Sequence, residues 1–194
     1  MILSAMTPSV NVLSSWLREL AWKGVKFWVR RSFPSVEHIS TAALQQQLTD
    51  RAQFLLVDTR KPAEYAVSHL PGAVRAESVE AIQQLCPDPK DGNIIAYCSI
   101  GYRSARLAQQ LAAAGYRAVN LEGSLFQWAN ENRPLVRNHR QTTQVHPYSS
   151  TWALLLKTTI SKTTISKTTI SKLENSKLEN SKTTNSKTTN SKTP

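Results

Sequence analysis

Cysteine, glycine and long apolar runs are all scarce in this chain of 194 residues. It has two cysteines, Cys86 and Cys98, and six glycines. Two cysteines provide no disulfide framework, which indicates a reducing, cytoplasmic setting where a cysteine in a special context is more often reactive than structural. The sequence contains no run of about 18 apolar residues that would span a membrane, and no apolar core with a small-residue cleavage site that would mark a secretory signal.

Acidic residues are also few, so the formal net charge is +11. The excess lies at the two ends of the chain, in residues 1–34 and 157–194, whereas the middle is almost neutral. A surface that binds nucleic acid is expected on the folded domain, usually within a recognisable module. Neither is present, so we expect no nucleic-acid partner. No cluster of side chains has the spacing of metal ligands, so we expect no metal and no cofactor.

Composition divides the chain into four predicted regions. Residues 1–34 contain a basic amphipathic helix, and residues 35–137 form the folded domain. Residues 138–157 are an aromatic and leucine-rich extension, and residues 158–194 repeat a polar unit of five residues. The repeat is too polar to offset the entropy lost on ordering, which predicts a disordered tail.

The amphipathic helix is predicted over residues 10–33, and Pro34 ends it. Its large apolar side chains fall on one face, and the opposite arc is mainly basic. The apolar face consists of Leu13, Trp16, Leu17, Leu20, Phe27 and Trp28, and the opposite arc consists of Glu19, Lys23, Lys26 and Arg30. Such a helix either lies peripherally in a membrane interface, contacts a partner protein or packs on its own domain, and the sequence leaves these alternatives open.

The middle region alternates short apolar runs with helical stretches. The predicted strands are residues 54–58, 94–98 and 118–122. Helices are predicted over residues 40–48, with Ser40 as the N-cap, and over residues 103–115, with Gly115 as the C-terminal stop. This alternation predicts an α/β fold, a mainly parallel sheet of about five strands with helices on both faces. The ligand site of such a sheet lies beyond the carboxyl ends of its strands, which is where Cys98 stands.

The residues that follow Cys98 are suited to stabilise an anion. They are Ser99, Ile100, Gly101, Tyr102, Arg103 and Ser104. A cysteine is a nucleophile as a thiolate, and helix N-termini or nearby cations lower its pKa from about 8.5. Successive backbone N–H groups can converge on such an anion, Gly101 permits the positive φ that a curled loop needs, and Arg103 adds a planar cation suited to an oxyanion. This predicts Cys98 as a nucleophile and the loop as its binding site; a buried structural cysteine is the alternative.

Four stretches, in the right order, resemble a single-domain rhodanese, and the basic amphipathic leader and the VHPY…W extension are similar to those of a bacterial, notably cyanobacterial, subset of that family. The four stretches resemble the opening strand, the turn, the active-site loop, and the closing strand and helix of that family, and together they cover roughly residues 40–137. The stretches are LLVDTRKPAEY (55–65), SHLPGAV (68–74), YCSIGYRSA (97–105) and VNLEGSLFQWANENRPL (119–135). The resemblance implies a rhodanese-like fold and a sulfurtransferase.

The family's mechanism implies a role for each part of the loop. Cys98 would take a sulfane sulfur from a small donor anion, such as thiosulfate, and become a persulfide held by the backbone amides of residues 99–103. The persulfide would pass its sulfur to a thiol, cyanide or a protein acceptor. Asp58, Arg60 and Glu64 are predicted to support the site, with Arg60 paired to Glu64.

Two alternatives to a sulfurtransferase remain. Related phosphatases of this fold have five residues between the cysteine and the arginine, whereas four separate Cys98 from Arg103 here. The shorter loop disfavours phosphate, which weakens a phosphatase or arsenate reductase. A rhodanese-like binding or scaffold module at a membrane or partner surface is the other alternative. Ser99 also stands where thiosulfate-preferring members often carry a basic residue, so the donor stays open.

The remaining candidates have structural interpretations. His69 is expected to order its turn rather than act as a base. Cys86 lies in a loop, where a resolving-cysteine role is an alternative. Phe126 and Trp128 are expected in the core, and His146 has no identifiable partner.

Overall fold

The computed structural model describes residues 10–89, 92–157 and 160–162. The predicted tail lies outside the described residues, except for 160–162. The helices are α1 (Val10–Ser32), α2 (Thr41–Thr49), α3 (Pro62–Val67), α4 (Val79–Leu85), α5 (Tyr102–Ala113) and α6 (Ser124–Asn130). The strands are β1 (Glu37–Ile39), β2 (Leu55–Asp58), β3 (Val74–Arg75), β4 (Asn93–Tyr97), β5 (Arg117–Leu121), β6 (Leu135–Arg137), β7 (Arg140–Thr142), β8 (Gln144–Val145) and β9 (Ser161–Lys162). A 3-10 helix covers Trp152–Leu155.

The central sheet has five strands in the order β1-β5-β4-β2-β3. Every neighbouring pair is parallel, which confirms the predicted mainly parallel sheet. Strand β4 occupies the middle position, so the residue that follows it, Cys98, lies at the centre of the carboxyl edge. The pairs β6–β7 and β8–β9 lie outside this sheet.

Apolar side chains alternate between the two faces of the sheet, as the strand geometry requires. Leu56 and Ile95 belong to one core cluster, and their neighbours Val57 and Ile94 belong to another. The first cluster contains Leu44 of α2 and Leu125 and Trp128 of α6; the second contains Ile82 of α4 and Leu107 and Leu111 of α5. Helices therefore cover both faces, as predicted.

The helix and strand boundaries follow the local signals. Strands β2, β4 and β5 lie within one residue of their predicted ends. The Ser40 hydroxyl accepts a hydrogen bond from the Ala43 N–H at 3.1 Å, and Gly115 follows α5 with φ +90°. Strands β1 and β3, with three and two residues, are too short to give a recognisable alternation.

Helix α1 packs on its own domain with a face that the sequence did not single out. Trp22, Val29 and Phe33 are buried, and the Trp22 indole N–H donates to the Leu155 carbonyl at 3.3 Å. Trp16, Leu17, Leu20 and Phe27 are exposed instead. Most of the predicted apolar face therefore does not dock, because α1 carries large apolar side chains on two sides; Trp28 of that face does contact the domain, through the ring of Tyr102.

The C-terminal extension also packs on the domain. Val145 is fully buried in β8, and Leu155 and Leu156 are buried farther along. Ile160 is buried as well, and β9 pairs with β8. Residues 160–162 thus differ from the disorder predicted for the tail, because an isoleucine of the repeat finds an apolar site.

Candidate active site

Cys98 lies directly after β4 and four residues before α5 begins at Tyr102, at the carboxyl edge of the sheet. Its side chain is almost fully buried, with 1% exposure. Its backbone N–H donates to the Ser124 hydroxyl at 3.1 Å, which ties the loop to the start of α6. The sequence pattern, a strand ending in a cysteine and followed by a helix, is thus folded as expected.

Gly101 shapes the loop around the sulfur. Its backbone has φ +109°, and its N–H donates to the Cys98 Sγ at 3.1 Å. Residues with a side chain rarely adopt this conformation, and a Cβ here would lie 3.4 Å from the Asn120 amide nitrogen. The conformation that aims an amide at the sulfur therefore requires glycine.

The environment of the sulfur favours the thiolate. Burial acts to raise the pKa of the Cys98 thiol, since it disfavours the charged form. The positive charge of Arg103 and hydrogen bonds from Ser104 and from the Gly101 N–H outweigh burial, so the pKa lies below its ordinary value. The thiolate form of Cys98 is therefore favoured more than that of an ordinary cysteine.

Arg103 is held beside the loop rather than free to face a substrate. Its Nη1 and Nη2 donate to the two carboxylate oxygens of Glu64, each at 2.8 Å, and Nη2 also donates to the Ser99 hydroxyl at 3.1 Å. Burial acts to raise the pKa of Glu64, but Arg103, the Lys61 N–H and the charge of Arg60 together lower it. Arg103 thus bears on the sulfur through its charge, while its planar fork is engaged by Glu64.

Arg60 pairs with Asp58, and the predicted Arg60–Glu64 pair is wrong. Arg60 Nη2 lies 2.7 Å from the Asp58 Oδ2, and both side chains are fully buried. Arg60 also donates to the Ser68 carbonyl, which fixes the turn after α3. Glu64 takes Arg103 as its partner because α3 and α5 meet at the carboxyl edge of the sheet, 39 residues apart in sequence.

Comparison with known proteins agrees with this geometry. The family model described as Rhodanese-like domain matches residues 40–131. A sulfurtransferase of Allochromatium vinosum is 35% identical over 102 residues, which cover 52% of this chain and 95% of that protein. The chain belongs to the rhodanese-like domain family.

Two further similarities bear on this rhodanese. YtwF of Bacillus subtilis, also named a sulfurtransferase, is 29% identical over 99 residues, covering 51% of this chain and 96% of that protein. The crystal structure of a thiosulfate sulfurtransferase from Pseudomonas aeruginosa aligns with a TM-score of 0.52 at 23% identity, covering 62% of this chain and 24% of that one. The structural likeness shows the fold, and the sulfurtransferase relatives support sulfurtransferase activity in general.

The other candidate residues of the rhodanese domain have structural surroundings. The His69 ring stacks on Tyr65 at 3.8 Å between centroids, in keeping with an ordering role in the turn. Cys86 lies by Gly92, before β4 begins, whereas Cys98 follows the end of that strand. Five strand residues span about 16 Å, so this arrangement does not place Cys86 as a resolving thiol. Phe126 and Trp128 are in the core, as predicted.

Two residues that lie near the site, Tyr148 and His146, were not identified as such from the sequence. The Tyr148 ring lies over the Arg103 guanidinium, 4.8 Å from ring centroid to Cζ. The pKa of His146 is lowered, mainly by burial. The charge of Glu64 acts to raise it, and the charges of Arg60 and Arg103 act to lower it. The aromatic content of VHPYSSTW was the available signal, but nothing local says which loop it contacts.

Tyr102 of the loop is enclosed by aromatic side chains from the N-terminal segment, and the C-terminal extension packs behind them. Its ring stacks on Trp28 of α1 at 4.5 Å, and Trp28 in turn stacks on Trp152 of the extension at 6.4 Å. Phe33 meets the same Tyr102 ring edge-on at 5.0 Å. Residues outside the matched family domain thus form part of the wall around the Cys98 loop.

The described residues contain neither a metal-binding cluster nor a helix that could span a membrane. Within residues 10–89, 92–157 and 160–162, no group of three or more His, Cys, Asp and Glu side chains is arranged to hold a metal ion. None of the helices described there has the length and apolar character needed to cross a bilayer.

Proposed function

We propose that this protein moves sulfane sulfur through a persulfide on Cys98. The observation that carries the proposal is the Gly101 N–H aimed at the Cys98 Sγ from 3.1 Å, in a loop that lowers the pKa of the thiol. Both half-reactions need an anionic sulfur on Cys98, first the thiolate that attacks the donor and then the thiolate that leaves when the acceptor takes the terminal sulfur.

The transfer is balanced without an oxidant. The Cys98 thiolate attacks the sulfane sulfur of a donor such as thiosulfate; a new S–S bond forms, the donor's S–S bond breaks, and sulfite leaves with the electron pair. An acceptor thiolate or cyanide then attacks the terminal sulfur, and the Cys98 thiolate is released. The backbone amides of the loop stabilise the anion on each side of the transfer.

The surroundings of Ser99 bear on the donor. Its hydroxyl donates to Glu64 at 3.1 Å and accepts from Arg103 at 3.1 Å, so it is engaged within the protein. A donor anion therefore relies on the loop amides and on the charge of Arg103. The donors to compare are thiosulfate, which is a dianion, and 3-mercaptopyruvate, a carboxylate with a single charge whose thiol lies next to a keto group.

The test is intact-protein mass spectrometry after incubation with each donor. We expect a gain of about 32 Da, one sulfur atom, at Cys98. Cys98→Ser should abolish both the adduct and turnover, and Cys86→Ser is the matched control that should retain them. Hydrolysis of a phosphate ester or reduction of arsenate, with no sulfur adduct, would instead support the phosphatase or reductase alternative, which the four-residue loop disfavours.

We also propose that α1 attaches the enzyme peripherally to an anionic membrane surface. The observation in favour is the outer stripe, defined as Trp16, Leu17, Leu20 and Phe27, which is exposed on the side of α1 opposite its docked face. Lys23 and Arg31 are exposed beside it. An apolar stripe with tryptophan and flanking cations suits the interface of an anionic bilayer, and a protein surface does not require the cations.

Flotation with vesicles of phosphatidylglycerol and phosphatidylcholine tests the membrane proposal. We expect binding that falls as salt is added and that is lost in the Leu20→Glu, Phe27→Glu double variant. Leu85→Glu, an equally exposed leucine at the end of α4, is the matched control and should bind as the unmodified protein does. Absence of flotation would overturn the proposal. If the unmodified protein is instead a dimer and the double variant is a monomer, the outer stripe binds a second copy of the chain.

The proposed setting is the cytoplasm, since two free cysteines persist best under reducing conditions. Nucleic acid is not among the partners that we propose, because the charge excess lies outside the domain that carries the loop.

A further inference from the structure

The C-terminal extension passes beside the active site between two firm anchors. At one end, Val145 is fully buried. At the other end, the Asn130 side chain donates to the Leu155 carbonyl at 2.8 Å and accepts from the Lys157 N–H at 2.8 Å. Tyr148 lies between these anchors, with its ring over Arg103.

Tyr148 has two features that core packing does not explain. Its side chain is 48% exposed, so burial of apolar area is not what fixes it. Its backbone has φ +61°, a region that bulky residues seldom occupy. The Tyr148 N–H donates to His146 Nδ1 at 3.0 Å, which holds this turn and directs the ring to Arg103. The contact between the Tyr148 ring and the Arg103 guanidinium can offset the cost of this backbone conformation.

We propose that Tyr148 is a positioning residue of the active site, whose ring holds the Arg103 guanidinium in the plane in which it binds Glu64. The proposal rests on the proposed role of Cys98 as the nucleophile. It assigns to the extension a part in the chemistry that the matched family domain does not contain.

The geometry supplies the mechanism. Arg103 makes its bonds to Glu64 and Ser99 with N–H groups that lie in the guanidinium plane. An aromatic ring on one face of that plane attracts the cation and keeps water from that face. The guanidinium then stays close to Cys98, and its charge is less screened.

The charged and titratable groups that face Arg103 come from two elements and from the extension. They are Glu64 of α3, Cys98 after β4, and His146 and Tyr148 of the extension; Arg60 after β2 acts on the same Glu64 and His146. Removal of the ring leaves all the others in place, so a change in the Cys98 titration reports on how Arg103 is held. We expect the thiolate fraction below the midpoint to fall roughly two- to fivefold, the range of a moderately exposed cation–π contact.

The experiment follows the ultraviolet absorbance of the thiolate against pH in the full chain. Every variant also carries Cys86→Ser, so that Cys98 is the one cysteine left in the chain. Tyr148→Ala and Tyr148→Leu remove the aromatic ring and should move the midpoint to higher pH. Tyr148→Phe keeps the ring and should titrate as the unmodified protein does. This readout requires neither a donor nor access of a reagent to the buried sulfur.

Two results would overturn the inference: an unchanged midpoint in the Ala and Leu variants, or a shift in the Phe variant as large as that in the Ala variant. Thermal melting of each variant identifies a general loss of structure, and the Leu variant keeps the bulk of the side chain if the Ala variant unfolds. A shifted midpoint in a protein that never forms a persulfide would support Tyr148 as a positioning residue while refuting the proposed sulfur transfer.

Discussion

Replacement of Arg103 by methionine removes the ion pair with Glu64, together with the cation beside Cys98, and the loss of the pair sets the cost in stability. Removal of one partner from a buried ion pair costs about 3–5 kcal/mol. The Arg103 side chain is 30% exposed, and Glu64 keeps hydrogen bonds at 3.1 Å from Ser99 and from the Lys61 N–H. Both facts reduce the cost, so we expect Arg103→Met to lower the free energy of unfolding by about 2–3 kcal/mol at neutral pH.

The loss should depend on pH in a definite direction. In the unmodified protein the pKa of Glu64 is lowered. Its pair with Arg103 therefore stabilises the fold fully above about pH 4.3, the pKa of a glutamate in the unfolded chain. This contribution is lost as the pH falls through the lower pKa of the folded state. In the variant, Glu64 is buried without its paired cation and keeps only the weaker influence of the Arg60 charge, so its pKa rises and protonation relieves the penalty. The difference in stability between the two proteins should therefore narrow on acidification.

Urea unfolding at several pH values measures this difference. Arg75→Met is the matched control, because Arg75 pairs with Glu77 at the surface at 3.4 Å, and exposed pairs contribute about 0–1 kcal/mol. Adding Glu64→Gln to Arg103→Met should recover part of the loss, since the unpaired charge is then gone. The reasoning is refuted if Arg103→Met costs no more than Arg75→Met at neutral pH, or if its cost grows as the pH falls.

Three further outcomes are expected. Gly101→Ala should reduce sulfur transfer at least tenfold, as measured by persulfide formation, because φ +109° strains any side chain and the N–H then leaves the sulfur. The thiolate absorbance of Cys98 should titrate below the ordinary thiol value of about 8.5, and a midpoint at or above that value would contradict the lowered pKa. Truncation after Lys162 should leave the melting temperature nearly unchanged, whereas truncation after Lys157 also removes the buried Ile160 and should cost about 1–2 kcal/mol by urea unfolding.

The loop and the sheet were accessible to sequence reasoning because their signals are local. The apolar run that ends at Cys98, the permissive Gly101 and the helical pattern after it lie within one short stretch. Backbone preference and hydrophobic period act over this range, so they predict both the strand end and the curled loop.

The partner of Glu64 was not accessible in the same way. Two arginines, Arg60 and Arg103, are candidates for this carboxylate in the sequence, and the nearer one is Arg60. In the structure Arg60 pairs with Asp58, and Glu64 pairs with Arg103, which is 39 residues away in the sequence. The choice depends on how α3 and α5 meet at the sheet edge, which no local pattern encodes.

Helix α1 illustrates a second limit. A periodic pattern identifies apolar faces, but it does not say which face is covered when a helix has two. Trp22 and Val29 dock while Trp16 and Phe27 face outward, and the deciding factor is the shape of the domain beneath. Tyr148 was missed for a related reason, since its contact with Arg103 joins the extension to a loop far along the chain.

The stack of Trp152, Trp28 and Tyr102 bears on how this protein could be inherited as a module. Recombination that carried only residues 40–131 into another gene would transfer the cysteine, its loop and four of the five strands of the sheet, yet leave behind β1, Trp28 and Trp152. The recipient would expose the face of the Tyr102 ring that Trp28 covers, and Trp28 is itself backed by Trp152. A gene fusion that keeps the neighbourhood of the loop intact must therefore copy a segment that starts before Trp28 and continues past Trp152.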